Sequence, residues 1–154
     1  MEAGQQQSNF SHLDSSGRAQ MVDVGQKAVQ RRFASASCKV CCLPPTLAAL
    51  RSASMPKGDV LTVAKIAGIQ AAKRTDSLIP LCHQIPLSVV KLEITLADEG
   101  IEIVCGVATE AKTGVEMEAL VGACVAALTV YDMCKAVDKT MVISDLRVVE
   151  KTKQ

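Results

Sequence analysis

Strict alternation of apolar and polar side chains marks three segments of the chain. Over residues 32–42, Ala34, Ala36, Cys38, Val40 and Cys42 fall on one face, and Ser35, Ser37, Lys39 and Cys41 on the other. That period of two predicts a half-buried strand. Residues 88–96 set Val90, Leu92, Ile94 and Leu96 against Lys91, Glu93 and Thr95, and residues 101–109 repeat the pattern with Ile101, Ile103, Cys105 and Val107. The turn Ala97-Asp-Glu-Gly100 between them makes the pair a hairpin. Residues 140–150 predict a last strand, and Met21-Val-Asp-Val24 is a short alternating piece near the start.

Between the strands the period changes. Pro44-Pro45 ends the first strand and opens a short helix at 46–51. Asp59 is placed as the N-cap of a helix over 60–73, with Val63, Ala64, Ala67 and Ala71 on one face and Lys73 and Arg74 closing it. Residues 113–137 form the longest element. A Thr113-Gly114 turn leads into Glu116 and Glu118, an uncharged run over 119–131 follows, and charge returns only at Asp132 and Lys135. Good helix formers dominate, and the run is apolar nearly all round, so it reads as a helix buried on most sides. Ala119, Gly122, Ala123, Ala126 and Ala127 leave room for a second element to approach closely. Because the uncharged run falls short of the roughly 18 residues of a membrane span, no membrane is expected. The order strand, helices, strand, strand, helix, strand predicts an α+β, ferredoxin-like β-α-β-β-α-β sandwich, an antiparallel sheet with its helices on one face.

Composition narrows the function. Hydrophobic residues make up 49% of the chain and aromatics 2%, so the core is aliphatic. A net charge of +1 and scarce stacking aromatics argue against nucleic acid as a partner. Seven cysteines at irregular spacing make no disulfide framework and point to a reducing compartment, the cytoplasm. Residues 1–20 lack the apolar segment of a secretory signal. Polar residues 1–10 read as a disordered extension, residues 11–154 as one catalytic domain, and His12 and Asp14 as part of a solvated loop. Cys38-Lys-Val-Cys41 is a lone C-x-x-C without the second pair of a zinc site, so no metal centre is expected.

Candidate chemistry gathers at the ends of the longest helix. The dipole accounts for Glu116 and Glu118 at its start and Lys135 at its end, but not for Asp132, an anion near the negative end. Asp132 and Lys135 are neighbours on one face. Glu118 and Asp132 share nearly the same face but stand about 21 Å apart at the rise of an α-helix. One small-molecule site therefore cannot use both ends of one copy. An antiparallel second copy, as in a two-fold dimer, would bring them together. The stretch Asp76-Ser-Leu-Ile-Pro-Leu-Cys-His-Gln-Ile-Pro86 is the other unusual feature, since two prolines hold Leu81, Cys82 and His83 in an irregular loop. Adjacent side chains on a stiff segment point apart, which speaks against a Cys82–His83 nucleophile pair. His83 reads equally as a site residue or as a partner for a nearby backbone group.

Lys57-Gly-Asp-Val60, Ile66-Ala-Gly-Ile-Gln-Ala-Ala-Lys73, Leu78-Ile-Pro-Leu-Cys-His83, Thr113-Gly-Val-Glu-Met-Glu-Ala-Leu120 and Tyr131-Asp-Met-Cys-Lys-Ala-Val137, with Met21-Val-Asp-Val24 ahead of them, resemble the cyclic pyranopterin monophosphate synthases of molybdenum cofactor biosynthesis. The resemblance runs from about residue 11 to residue 151. It implies a lyase that takes a 3′,8-cyclised dihydroguanosine triphosphate, made from GTP by a radical-SAM enzyme, to cyclic pyranopterin monophosphate and pyrophosphate. It also implies a homohexamer of three dimers with the site at the dimer interface. No cofactor is expected to be required, and Mg²⁺ can accompany the triphosphate. Site residues implied are Asp132, Lys135 and Lys57 for catalysis, and Leu81, Cys82, His83, Glu116, Met117, Glu118 and Lys73 for substrate binding. The lysines would hold phosphate, and a lysine among other cations is expected to have a lowered pKa. Family members continue beyond the last strand with a Gly-rich basic tail, whereas this sequence ends at Gln154. The alternative is a non-enzymatic ferredoxin-like oligomer that binds a metabolite.

Overall fold

The computed structural model describes residues 13, 14 and 16–154. The expectations for residues 1–10 and His12 lie outside them. In chain order the elements are β1 (Gln30–Cys41), α1 (Pro44–Arg51), α2 (Val60–Ala72), α3 (Thr75–Leu78), β2 (Leu87–Leu96), β3 (Gly100–Ala111), α4 (Glu116–Cys134) and β4 (Val142–Lys153). The strands form one sheet in the order β2-β3-β1-β4. Every neighbouring pair is antiparallel. This is the ferredoxin-like arrangement that the order of strands and helices predicts.

One face of the sheet is the core. The inner row of β1, Ala34, Ala36, Cys38 and Val40, lies beside Ile101, Ile103, Cys105 and Val107 of β3, and all eight are buried. Helix α4 lays Ala119, Ala123, Ala126, Ala127 and Val130 across them. Small side chains on both surfaces bring the backbone of α4 close, and the Cys38 thiol donates to the Ala123 carbonyl at 3.4 Å. Helix α2 crosses α4 in the opposite direction: Lys57, just before it, meets Asp132 near the end of α4, while Ala72 at its end meets Gly122. A Cβ on Gly68 would stand 2.7 Å from the Gly122 carbonyl oxygen, closer than atoms can pack. Only glycine allows this approach, and it sets the distance between the two helices.

Three features depart from the sequence expectations. The buried stripe of α2 is Val60, Ala64, Gly68, Ala71 and Ala72, and Val63, expected inside, is 44% exposed. The closest contact is made by a glycine, which a hydrophobic pattern does not mark. A helical turn, α3, follows Lys73 and Arg74 and takes in residues 76–78, where no helix is expected, while residues 81–86 are irregular as expected; the Thr75 hydroxyl donates to the Ala72 carbonyl at 3.0 Å. Finally, α4 is long and apolar enough by length and composition to cross a membrane once its few charges are included, which the length of its uncharged run alone does not show. Its burial identifies it as the core helix instead, with ten of its residues packed inside the domain.

Candidate functional site

The end of α4 carries a compact ion group. The Asp132 carboxylate accepts from Lys57 Nζ at 3.0 Å and from Lys135 Nζ at 2.7 Å. Lys57 Nζ also donates to the Asp132 carbonyl at 3.0 Å, so it caps one of the carbonyls left free at the helix end. Lys135 is the C-cap residue, one turn beyond Asp132. The antiparallel crossing of α2 delivers Lys57, which local sequence cannot show. All three side chains are about half exposed.

The electrostatics correct one expectation. Lys135 does not sit among bare cations: its hydrogen bond to Asp132, and then that residue's charge, hold its pKa above the ordinary lysine value. Asp132 is held below the usual carboxylate range by hydrogen bonds from Lys135 and Lys57, with their charges adding to the effect. The group therefore presents two ammonium ions tied to one carboxylate. It can hold phosphate oxygens, and Lys135 can give up a proton when Asp132 is drawn away or neutralised.

Asp138 lies behind this group and is only 2% exposed. It accepts from the Leu43 N–H (2.8 Å), the Thr46 hydroxyl (3.1 Å), the Thr140 N–H (2.9 Å) and the Thr140 hydroxyl (2.8 Å). It thus ties the turn after α4 to the start of α1 and the approach to β4. Burial pushes its pKa up, but these hydrogen bonds outweigh burial and leave it lowered.

The start of α4 borders a different surface. Cys82, His83, Ile85, Thr113, Gly114, Glu116, Met117 and Glu118 line a cleft of about 280 Å³. Four side chains define its chemistry. Glu118 is 4% exposed, and its Oε2 has no hydrogen-bond partner. Burial pushes its pKa up; its own backbone N–H opposes this, and the charges of Glu116 and Asp76 add to the rise. Glu116 pairs with Lys151 of β4. Burial alone would raise Glu116, but Lys151 and then Arg32 more than offset it, so this carboxylate is held below its usual range. His83 is hydrogen-bonded through Nε2 to the Val22 carbonyl oxygen at 2.8 Å. Burial, then Glu118 and Asp76, push the Cys82 thiol up, away from nucleophilic thiolate chemistry.

The residues expected from sequence thus form two groups at opposite ends of α4. Lys57, Asp132 and Lys135 make one. Cys82, His83, Glu116, Met117 and Glu118 make the other, with Lys73, the C-cap of α2, on the same side because Ala72 packs on Gly122. Leu81 is half-buried beside the cleft but is not part of its lining. The sequence reading misses Lys151, Arg32 and Asp138. Lys151 and Arg32 reach Glu116 only through the pairing of β1 with β4, and Arg32 Nε is buried without a partner. Among the described residues, no three His, Cys, Asp or Glu side chains cluster as a metal site would require.

Comparison with known proteins bears on the whole chain. The sequence profile of the MoaC family matches residues 21–154. A molybdenum cofactor biosynthesis bifunctional protein of Chlorobaculum tepidum is 56% identical over 143 residues, covering 93% of this chain and 46% of that protein. A cyclic pyranopterin monophosphate synthase of Streptomyces avermitilis is 53% identical over 146 residues, covering 95% of this chain and 86% of that one. The synthase of the same name from Peptoclostridium acidaminophilum is 52% identical over 143 residues, covering 93% and 91%. With the family profile spanning the sheet, both ends of α4 and every candidate residue in the two groups, the chain belongs to the MoaC family.

Proposed function

We propose that this chain is a cyclic pyranopterin monophosphate synthase of molybdenum cofactor biosynthesis. It is a lyase that rearranges 3′,8-cyclo-7,8-dihydroguanosine 5′-triphosphate, supplied from GTP by a radical-SAM enzyme, to cyclic pyranopterin monophosphate, with release of pyrophosphate. The observation that carries this reading is the separation of charge along α4. Ammonium groups suited to a triphosphate lie at one end, and carboxyl and imidazole groups suited to the N–H edge of a guanine-derived ring lie at the other.

At about 280 Å³ the cleft is at the small end for a ligand pocket, large enough for the ring system but not for the triphosphate as well. The Lys57 and Lys135 ammonium groups, tied to Asp132, lie at the other end of the same helix, about 21 Å away. A complete site therefore forms when a second copy lays its Lys57–Asp132–Lys135 group beside the first copy's cleft, and the same contact repeated by two-fold symmetry makes two sites per dimer. The helix layer offers apolar surface for this contact, with Val63, Ile66 and Leu128 each 44–52% exposed. Three such dimers would complete a homohexamer. Lys57 and Lys135 neutralise charge on the leaving pyrophosphate, and Asp132 and Lys135 carry protons during ring opening and closure. The proposed steps require no cofactor, and Mg²⁺ can accompany the triphosphate. Free cysteines throughout the chain suit the cytoplasm.

Incubating the protein with the cyclised triphosphate should release one pyrophosphate for each pterin product formed, and none from GTP. Failure to release pyrophosphate from the cyclised compound would reject the assignment. The non-enzymatic reading leaves the Lys57–Asp132–Lys135 group without a task.

A further inference from the structure

The Met21–Val24 segment has no role in the chemistry described so far, yet it touches the cleft. Val22 and His83 are 61 positions apart, and the Val22 carbonyl oxygen lies 2.8 Å from His83 Nε2. On its far side a local bond shapes the turn, and a second contact ties it to the rest of the fold. The Asp23 carboxylate accepts from the Gly25 N–H at 2.7 Å, and Lys112 Nζ donates to the Gly25 carbonyl at 2.6 Å. Lys112 immediately precedes Thr113 and Gly114 of the cleft wall. The Val24 carbonyl also accepts from the Lys27 N–H at 3.0 Å, closing the turn.

A carbonyl oxygen only accepts hydrogen bonds, so Nε2 carries the proton and donates to Val22. In the uncharged ring the other nitrogen, Nδ1, is then an acceptor. No described residue hydrogen-bonds Nδ1. We propose that the Met21–Val24 segment is a positioning element of the site: the Val22 carbonyl holds His83 protonated on Nε2, so that the imidazole meets the substrate as an acceptor at Nδ1. Together with the Glu116 and Glu118 carboxyl groups, this gives the cleft a set of acceptors, which select a ligand edge rich in N–H donors. The 2-amino and ring N–H groups of a guanine-derived system have that character, whereas a 2-oxo ring presents an acceptor there. The assignment of the ligand edge rests on the function proposed above; the tautomer does not.

The test is nitrogen-15 NMR of the full chain labelled in its histidines, recorded where the ring is uncharged, with His83 assigned by loss of its signals in His83→Gln. The expected spectrum has a protonated nitrogen at Nε2 and an unprotonated one at Nδ1. Replacing the Val22–Asp23 peptide bond by an ester weakens the Val22 carbonyl as an acceptor. This should mix the two tautomers and lower kcat/KM about tenfold, with the thermal midpoint unchanged. Lys112→Ala, which releases the far side of the segment, should move the tautomer ratio in the same direction. A proton on Nδ1 in the parent protein would overturn the proposal. So would a parent tautomer that stays unchanged in both variants. The spectrum is read without turnover, so loss of the proposed reaction and loss of this proposal are separate outcomes.

Discussion

Asp132→Ala and Lys135→Ala should each lower turnover about 10²- to 10⁴-fold, the range lost when a positioned acid or base is removed. Both variants should remain folded. The side chains are about half exposed, and exposed ion pairs contribute little to stability. Removing Asp132 also removes the main reason for the raised pKa of Lys135. Whatever limb of the pH–rate profile belongs to Lys135 should therefore move to lower pH in Asp132→Ala. Steady-state kinetics beside thermal melts would check both parts. Near-parental turnover in either variant would contradict the catalytic assignment. An unfolded variant would contradict the electrostatic one.

Asp138→Ala should act in the opposite way, costing about 3 kcal/mol of folding stability because charged hydrogen bonds are lost and buried donors stranded. The donors are the Leu43 and Thr140 N–H groups and the Thr46 and Thr140 hydroxyls. Asp138→Asn keeps the shape and should cost less. The pH dependence has a definite sign. The folded-state pKa of Asp138 lies below its ordinary value, so its charge stabilises the fold above the unfolded pKa, and that contribution is lost as pH falls through the folded value. Denaturant titrations should show the gap between the parent and Asp138→Asn narrowing in acid. A gap that widens in acid would contradict the assignment.

Strands β1, β2 and β3 were legible because each buries chiefly one face, and a period of two then follows from the pleat. Asp132 stood out for a different reason: an acid at the negative end of a helix conflicts with the dipole and calls for a partner. Lys135, three residues on, is a partner that sequence places beside it; the second partner, Lys57, could not be read locally. Lys57 reaches Asp132 because Gly68 lets α2 cross α4 closely, and the crossing is a property of packing. Lys151 reaches Glu116 because β4 pairs with β1, a contact between distant parts of the chain. Asp138 looks in sequence like an ordinary acid of an exposed turn, and only the position of α1 makes it buried. The tendency of Val63 to point inward failed at the same crossing, where the smallest residue, not the most hydrophobic one, makes the contact.

The proposed pairing of subunits can be tested by mixing two crippled proteins. Asp132→Ala disables one end of α4 and His83→Ala the other, so each alone should be nearly inactive. Subunits are exchanged at equal amounts by dissociation and reassembly. If the two ends meet across a two-fold interface, half of the dimers are mixed and each has one intact site of two, so about a quarter of parental activity returns. If each subunit contains its own complete site, the mixture stays as inactive as its components.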